Sequence, residues 1–211
     1  MIKENYQKIL TSLKKDTKLI AVSKGQDIDK IMALYEEGQR DFGENFLQEL
    51  IFKSQSLPKD INWHFLGNIQ SNKAVEIALH SNLIQSVSRK KILDILARSK
   101  VKKVNILLQL KLGNESTKSG FNAEEIQSVL KNKEDYKNIN FKGLMAIAEN
   151  IKNEDQLRLQ FQTAFHLYSS INKNKSNFNI LSMGMTSDFM YALDEGSNMI
   201  RVGTKIFGAR A

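Results

Sequence analysis

One lysine stands where a reactive amine would be useful. Lys24 comes two residues after the apolar run 19–22, which predicts a buried strand that ends beside the lysine. Because burial disfavours an ammonium, we expect a lowered pKa and an amine that can form a Schiff base with a carbonyl compound. The alternative is a lysine whose stem is buried and whose ammonium reaches solvent.

A second group of reactive residues lies near the end of the chain. Ser182 and Thr186 follow one apolar run, with Gly184 and Met185 between them, and Gly203-Thr204 follows the next. Glycines let backbone N–H groups approach an anion, and hydroxyl groups add further contacts, so these turns predict a phosphate site. The alternative is that the glycines only form tight turns.

The amine and the phosphate site together indicate one ligand. A small aldehyde that carries a phosphate would bridge them, and pyridoxal 5′-phosphate (PLP) is such a molecule. Arg201 would point inward from the last strand. Facing the pyridine nitrogen, it would keep that nitrogen unprotonated and weaken the ring as an electron sink. An interior ion pair with Glu44 is the other interpretation of this arginine.

Short apolar runs alternate with amphipathic stretches along the chain, which is typical of β/α units around a parallel sheet. We predict a helix at about residues 3–15 and one domain over residues 1–211, an α/β fold in which a single (β/α)8 TIM barrel carries this extra N-terminal helix. An open doubly wound sheet is the alternative, but only a closed barrel leaves no exposed edge. The predicted strands are 18–23, 40–43, 62–66, 83–87, 104–110, 141–147, 179–183 and 199–202.

Two helix starts are predicted from capping residues. Asn122 followed three residues later by Glu125 is the pattern of a capping box. Ser71 or Asn72 could cap an earlier helix, which we expect to bury Val75, Ala78 and Leu79.

Composition excludes several classes of protein. The 211 residues contain no cysteine and three histidines, so disulfides, thiolate metal sites and a zinc site are not expected. No apolar run has membrane-spanning length, and the first 18 residues contain no apolar segment of a secretory signal. We therefore expect a cytoplasmic protein with no membrane partner. The net charge of +8 suggests nucleic acid, but the lysines are dispersed, and we expect no nucleic-acid binding.

A set of motifs resembles those of the PLP homeostasis proteins, the YggS/PROSC family, whose barrel is similar to the N-terminal domain of alanine racemase. The motifs follow the family's order from about residue 18 to 210. They are residues 21–24, 42–45 with 48–49, 63–67 with 70–73, 118–120, 143–145, 181–185, and 201–204 with 206–210.

This resemblance implies roles for particular residues. It implies PLP held as a Schiff base on Lys24, with Asn45 near the ring and Arg201 near the pyridine nitrogen. It also implies a phosphate held by Ser182, Gly203 and Thr204, with backbone groups of Met185 and Thr186. His64 is open to two interpretations, a satisfied core histidine or a neighbour of the cofactor.

The sequence departs from the family pattern in places. Ser88 replaces a usual acidic residue, Thr186 replaces a more common serine, and the segment 108–112, which includes Lys111, replaces a strand end that usually contains asparagine. The N-terminal region is shorter than is typical. The departures on the fourth and fifth strands put ring contacts there in doubt, but not the lysine anchor.

The resemblance implies a carrier or regulator of PLP that supports vitamin B6 and amino-acid balance. We expect a monomer, with PLP-dependent apo-enzymes as recipients of the cofactor. A PLP-dependent racemase is the alternative. It would need a second base, usually a tyrosine from a separate β-domain of a partner subunit. Eight β/α units fill the 211 residues, so we expect no such domain, and the five tyrosines fall on predicted helices or helix-side loops.

Overall fold

Eight parallel strands follow one another around a closed barrel in the computed structural model, which describes residues 1–113, 119–151, 153–173 and 177–208. The strands are β1 Lys18–Val22, β2 Asp41–Glu44, β3 Asn62–Phe65, β4 Leu83–Val87, β5 Val104–Leu110, β6 Ile139–Ala146, β7 Ile180–Ser182 and β8 Met199–Val202. Pairing of β1 with β8 closes the sheet. This confirms the predicted (β/α)8 barrel, and the open sheet is wrong.

Helices follow the strands around the outside. Within the described residues they are α1 Ile2–Ser12, α2 Ile28–Glu36, α3 Leu47–Ser56, α4 Ala74–His80, α5 Lys90–Arg98, α6 Ala123–Lys131, α7 Glu154–Asn172, α8 Phe189–Asp194 and α9 Thr204–Phe207. The N-terminal helix α1 is the extra element. It buries Tyr6 and Ile9 and ends where Leu13 turns to an extended conformation, three residues earlier than predicted. No described helix has both the length and the apolar character needed to cross a membrane.

One of the two predicted caps is confirmed. Asn122 accepts from the N–H of Glu125, whose side chain accepts from the N–H of Asn122, as a capping box requires. The prediction for α4 was wrong for its cap and for the burial of Val75 and Leu79, whereas Ala78 is buried as expected. Residues 71–73 form a separate 3₁₀ turn, α4 has no side-chain cap, and Leu79 is 65% exposed. The helix starts later than expected, and it buries Ala74 and Ile77 together with Ala78.

The barrel interior combines an apolar cluster with buried polar groups. Alternate strand residues point inward, and the apolar set is Ile20, Leu83, Leu107, Met145 and Met199. On β3, Trp63 and Phe65 belong to the outer core, and His64 between them is buried inside. Gln85 on β4 is also interior, with its Nε2 atom 3.3 Å from Met199 Sδ.

A glycine allows a close approach between two strand ends. A Cβ atom built on Gly67 would lie 1.9 Å from the carbonyl oxygen of Asn45, so no larger residue fits without backbone movement. The carbonyl of Gly67 also accepts a hydrogen bond from Ser86 at 2.6 Å. These contacts fix the turn after β3 against the turn after β2, where the functional site lies.

Candidate functional site

A cavity of about 440 Å³ opens at the carboxyl ends of the strands. Active sites of (β/α)8 barrels lie at this end, and the volume falls within the roughly 300–1,000 Å³ typical of small-molecule sites. We call it the rim cavity. Its lining residues are Val22, Lys24, Gln26, Asn45, Leu66, Met145, Ile147, Met185, Thr186, Ser187, Arg201, Gly203, Thr204 and Gly208.

The lining has a positive charge. Lys24 and Arg201 are its two ionisable residues, and the described lining contains no carboxylate. Three hydroxyl residues, Thr186, Ser187 and Thr204, lie in the turns after β7 and β8. Two cations with hydroxyl groups and no acid favour a small anionic ligand.

Seven of the nine residues expected to contact a cofactor line this cavity: Lys24, Asn45, Met185, Thr186, Arg201, Gly203 and Thr204. Strand-end position brings them together, because all of them except Arg201 follow a strand and Arg201 is the penultimate residue of β8. β4 and β5 contribute no described lining residue, so the departures at Ser88 and Lys111 do not reach the cavity wall.

His64 is not brought to the rim cavity. It is 3% exposed, its Nε2 lies 2.9 Å from Asp41 Oδ1, and its Nδ1 lies 3.0 Å from Gln85 Nε2. Asp41 starts β2, so this contact is at the opposite mouth of the barrel. Of the two interpretations of His64, the geometry agrees with the satisfied core histidine.

Ser182 also lies below the cavity, although it was expected to help hold the phosphate. It is the last residue of β7 and fully buried. Its hydroxyl accepts from Arg201 Nη1 at 2.6 Å and donates to Gln85 Oε1 at 2.7 Å. A strand residue that points into the lumen lies one layer below the turn residues that follow it, and Ser182 therefore does not line the rim cavity.

Arg201 is held at the cavity floor by uncharged partners. Besides Ser182, its Nη2 donates to the carbonyl of Ala146 at 2.9 Å. Burial lowers the pKa of Arg201 to about 10, and the charge of Asp188 opposes this shift. The alternative ion pair with Glu44 is not formed, because Glu44 bonds to Ser23 and Lys53 instead.

The two turns that could hold a phosphate are themselves connected. The N–H of Gly203 lies 3.4 Å from Thr186 Oγ1, which ties the turn after β8 to the turn after β7. The N–H of Met185 donates to Asp188 Oδ1 at 2.5 Å. That donor is therefore engaged within the protein, whereas the hydroxyl residues Ser187 and Thr204 line the cavity.

Ser187 and Gln26 also line the cavity, although neither was expected there. Ser187 directly follows the predicted phosphate turn, so its hydroxyl could have been included from its position. Gln26 follows a turn in which Gly25 has a φ of 66°. That turn was not evident from the sequence.

A buried ion cluster supports the Lys24 turn from outside the barrel. It consists of Glu44, Glu49 and Lys53, and Lys53 Nζ lies 2.9 Å from Glu44 Oε1 and 2.7 Å from Glu49 Oε2. Burial raises the pKa of Glu44 to about 6, although Lys53 opposes the shift. Burial also acts to raise the pKa of Glu49, but hydrogen bonds from Lys53 and a backbone N–H together lower it.

The cluster binds both neighbours of Lys24. Ser23 Oγ donates to Glu44 Oε1 at 2.6 Å, and the N–H of Gly25 donates to Glu49 Oε2 at 2.8 Å. The ammonium of the cluster also donates to the Ser23 carbonyl at 2.8 Å. The backbone on each side of Lys24 is thus fixed to α3, and this directs the half-buried lysine into the cavity.

In the described part of the chain, no group of three or more His, Asp or Glu side chains could hold a metal ion. The rim cavity offers instead an amine, a guanidinium and hydroxyls. These groups suit an organic anion that carries a carbonyl.

Comparison with known proteins agrees with this chemistry. The family model of the alanine racemase N-terminal domain matches residues 1–211. The pyridoxal phosphate homeostasis protein of Haemophilus influenzae is 37% identical over 97% of this chain and 92% of its own length.

Solved structures show the same fold. PipY of Synechococcus elongatus without PLP has a TM-score of 0.92 at 32% identity, and the alignment covers 99% of this chain and all of PipY. PipY with PLP bound has a TM-score of 0.88 at 31% identity over the same shares. An alanine racemase of Clostridium difficile, 18% identical, has a TM-score of 0.80, and the match covers 99% of this chain but 56% of the racemase. That last likeness concerns the fold alone.

Proposed function

This chain belongs to the family of pyridoxal phosphate homeostasis proteins, and we propose that it binds PLP in the rim cavity through a Schiff base on Lys24. Its role is to buffer the cofactor or deliver it within the cell. The observation that carries the proposal is the placement of Lys24 and Arg201 on one cavity with three hydroxyl residues and no described carboxylate.

Each lining residue has a distinct task in this proposal. When bound, PLP supplies an aldehyde that reacts with amines and a ring that can accept electrons. The Lys24 amine holds the aldehyde carbon. Thr186, Ser187 and Thr204 offer hydroxyl donors to the phosphate, and Gly203 keeps the backbone close to it.

Arg201 and Asn45 act on the ring. As a permanent donor, the Arg201 guanidinium keeps the pyridine nitrogen unprotonated, which weakens the ring as an electron sink and disfavours turnover. Asn45 directly follows β2 and contacts the ring in this proposal.

A carrier suits this cavity better than a racemase. Two-base racemisation needs a second proton-transfer group opposite the lysine, and the described lining contains no tyrosine, histidine or carboxylate. All five tyrosines lie in helices or a 3₁₀ turn: Tyr6, Tyr35, Tyr136, Tyr168 and Tyr191.

The cellular setting is part of the same proposal. We place the protein in the cytoplasm as a monomer, with PLP-dependent apo-enzymes as recipients of the cofactor. The absence of cysteine from the sequence agrees with a reducing compartment. Sedimentation at several concentrations would test the monomeric state.

The proposed function is tested by titration of the purified protein with PLP. We expect a near-visible absorption band that saturates at one PLP per chain, and transfer of the bound cofactor to an added apo-enzyme. No racemisation of amino acids is expected. Absence of the band would contradict binding, and racemisation that is abolished in Lys24→Ala would replace the carrier role with catalysis.

A further inference from the structure

Five side chains, of which all but Asp41 are buried, form one continuous hydrogen-bonded chain across the barrel interior. Arg201 Nη1 donates to Ser182 Oγ at 2.6 Å, and Ser182 Oγ donates to Gln85 Oε1 at 2.7 Å. Gln85 Nε2 lies 3.0 Å from His64 Nδ1, and His64 Nε2 lies 2.9 Å from Asp41 Oδ1. We call this the lumen chain. It runs from the rim cavity to the opposite mouth of the barrel.

The lumen chain has one consistent direction. Because Arg201 can only donate, the Ser182 hydroxyl accepts from it and has its own proton free for Gln85. The amide oxygen of Gln85 therefore faces Ser182, and its NH2 group faces His64. His64 Nδ1 must then accept, so its ring is neutral and carries its proton on Nε2, toward Asp41.

Burial makes each link costly to break. Ser182 and Gln85 are fully buried, and His64 and Arg201 are 3% and 5% exposed. A buried polar group that loses its partner has no water to replace it. Burial also lowers the pKa of His64, while Asp41 opposes the shift and the charge of Lys18 reinforces it, in agreement with a neutral ring. The chain therefore fixes the orientation of every member, including the guanidinium at the cavity wall.

We propose that Ser182, Gln85 and His64 are positioning residues that aim the Arg201 guanidinium into the rim cavity, although none of them lines it. This proposal rests on the proposed function, because Arg201 acts there on bound PLP. It goes beyond that function by assigning a role in cofactor recognition to residues on β3, β4 and β7 that lie below the site.

The first test measures PLP affinity in a double-mutant cycle. Ser182→Ala removes the acceptor of Arg201 Nη1, and we expect roughly tenfold weaker binding of PLP, equivalent to about 1.4 kcal/mol. In an Arg201→Leu background the same substitution should cause no further loss, because Ser182 acts only through Arg201. Leu107→Val is the matched control: it removes buried lumen volume and should lower thermal stability but leave PLP affinity unchanged.

The second test uses the protein without cofactor. Nitrogen-15 NMR of the imidazole rings, with His64→Gln to assign the signal among three histidines, should show a neutral His64 protonated on Nε2 at pH 7. In Gln85→Glu, where a carboxylate replaces the amide NH2, we expect His64 to gain a second proton at that pH.

Several outcomes would overturn the positioning role. They are wild-type affinity for PLP in Ser182→Ala, full additivity of Ser182→Ala and Arg201→Leu, or a His64 ring protonated on Nδ1 in the wild-type protein. Failure of the wild-type protein to bind PLP would instead overturn the proposed function, and the NMR result would still decide whether the chain has the inferred direction.

Discussion

Lys24→Arg is expected to abolish the near-visible absorption band of the PLP-bound protein and to weaken PLP binding by about 100-fold, equivalent to roughly 2.7 kcal/mol. Arginine preserves the positive charge on the cavity wall, but its guanidinium cannot form the Schiff base. The hydroxyls and Arg201 remain in place, so residual binding without the band is the expected result. A spectral titration and equilibrium dialysis measure the two effects separately.

The matched control is Lys90→Arg. Lys90 is an exposed lysine at the start of α5 that does not line the rim cavity, and its replacement should leave the band and the affinity unchanged. Retention of the band in Lys24→Arg would mean that another amine carries the cofactor. Equal affinities of Lys24→Arg and the wild-type protein would mean that the lysine has no part in binding.

Lys53→Met is expected to lower the free energy of unfolding by about 3–5 kcal/mol, the usual cost of removing one partner from a buried ion pair. The Lys53 side chain is 4% exposed and that of Glu44 is fully buried. In addition, Glu44 Oε2 already has no hydrogen-bond partner. Without the ammonium, the ionised Glu44 carboxylate would be left uncompensated. Urea unfolding measures the loss.

The contribution of Glu44 to the free energy of unfolding should depend on pH in a defined direction. The pKa of Glu44 is raised to about 6 in the folded protein, above its unfolded value, so the folded state binds more protons between these pH values. The contribution of Glu44 to stability therefore decreases as pH rises from about 4.5 to 6. In Lys53→Met the folded pKa rises further, so we expect the difference from the wild-type protein to grow as pH increases above 6.

A second substitution separates charge from packing. Glu44→Gln in the Lys53→Met background removes the uncompensated charge and should recover part of the lost stability at pH 8. Unchanged stability of Lys53→Met at that pH, or a further loss in the double variant, would contradict the assigned role of the cluster.

The barrel could be predicted from the sequence because its signals are local. Strands buried on both faces produce continuous apolar runs, such as residues 19–21, and the bounds of β4, β5 and β8 agree with the predictions. The ends of the others differ by one or two residues, where apolar residues continue into turns. The start of α4 was mispredicted because the 3₁₀ turn at 71–73 uses the same polar residues that a cap would.

The site was predictable to the extent that it depends on strand ends. Seven expected residues line the rim cavity because parallel strands bring their carboxyl ends to one rim. How far below the rim a strand residue lies was not predictable in the same way. Ser182 and His64 belong to lower layers, which depend on the stagger of neighbouring strands around the barrel. Motif segments at 118 and 209–210 lie outside the described residues.

The buried ion cluster could not be recognised from sequence. Glu49 and Lys53 are four residues apart on α3, a spacing that is typical of exposed helix pairs. Only the fold shows that Glu44 lies beneath this pair and that all three hold the Lys24 turn. The lumen chain was hidden for the same reason, because its members are up to 160 residues apart, from Asp41 to Arg201.

The attachment of PLP to Lys24 is tested most directly by reduction of the PLP-loaded protein with borohydride, proteolysis and mass spectrometry. We expect one pyridoxyl adduct per chain, on the peptide that contains residue 24. An adduct on a different lysine, or a saturated protein that yields no adduct, would contradict it.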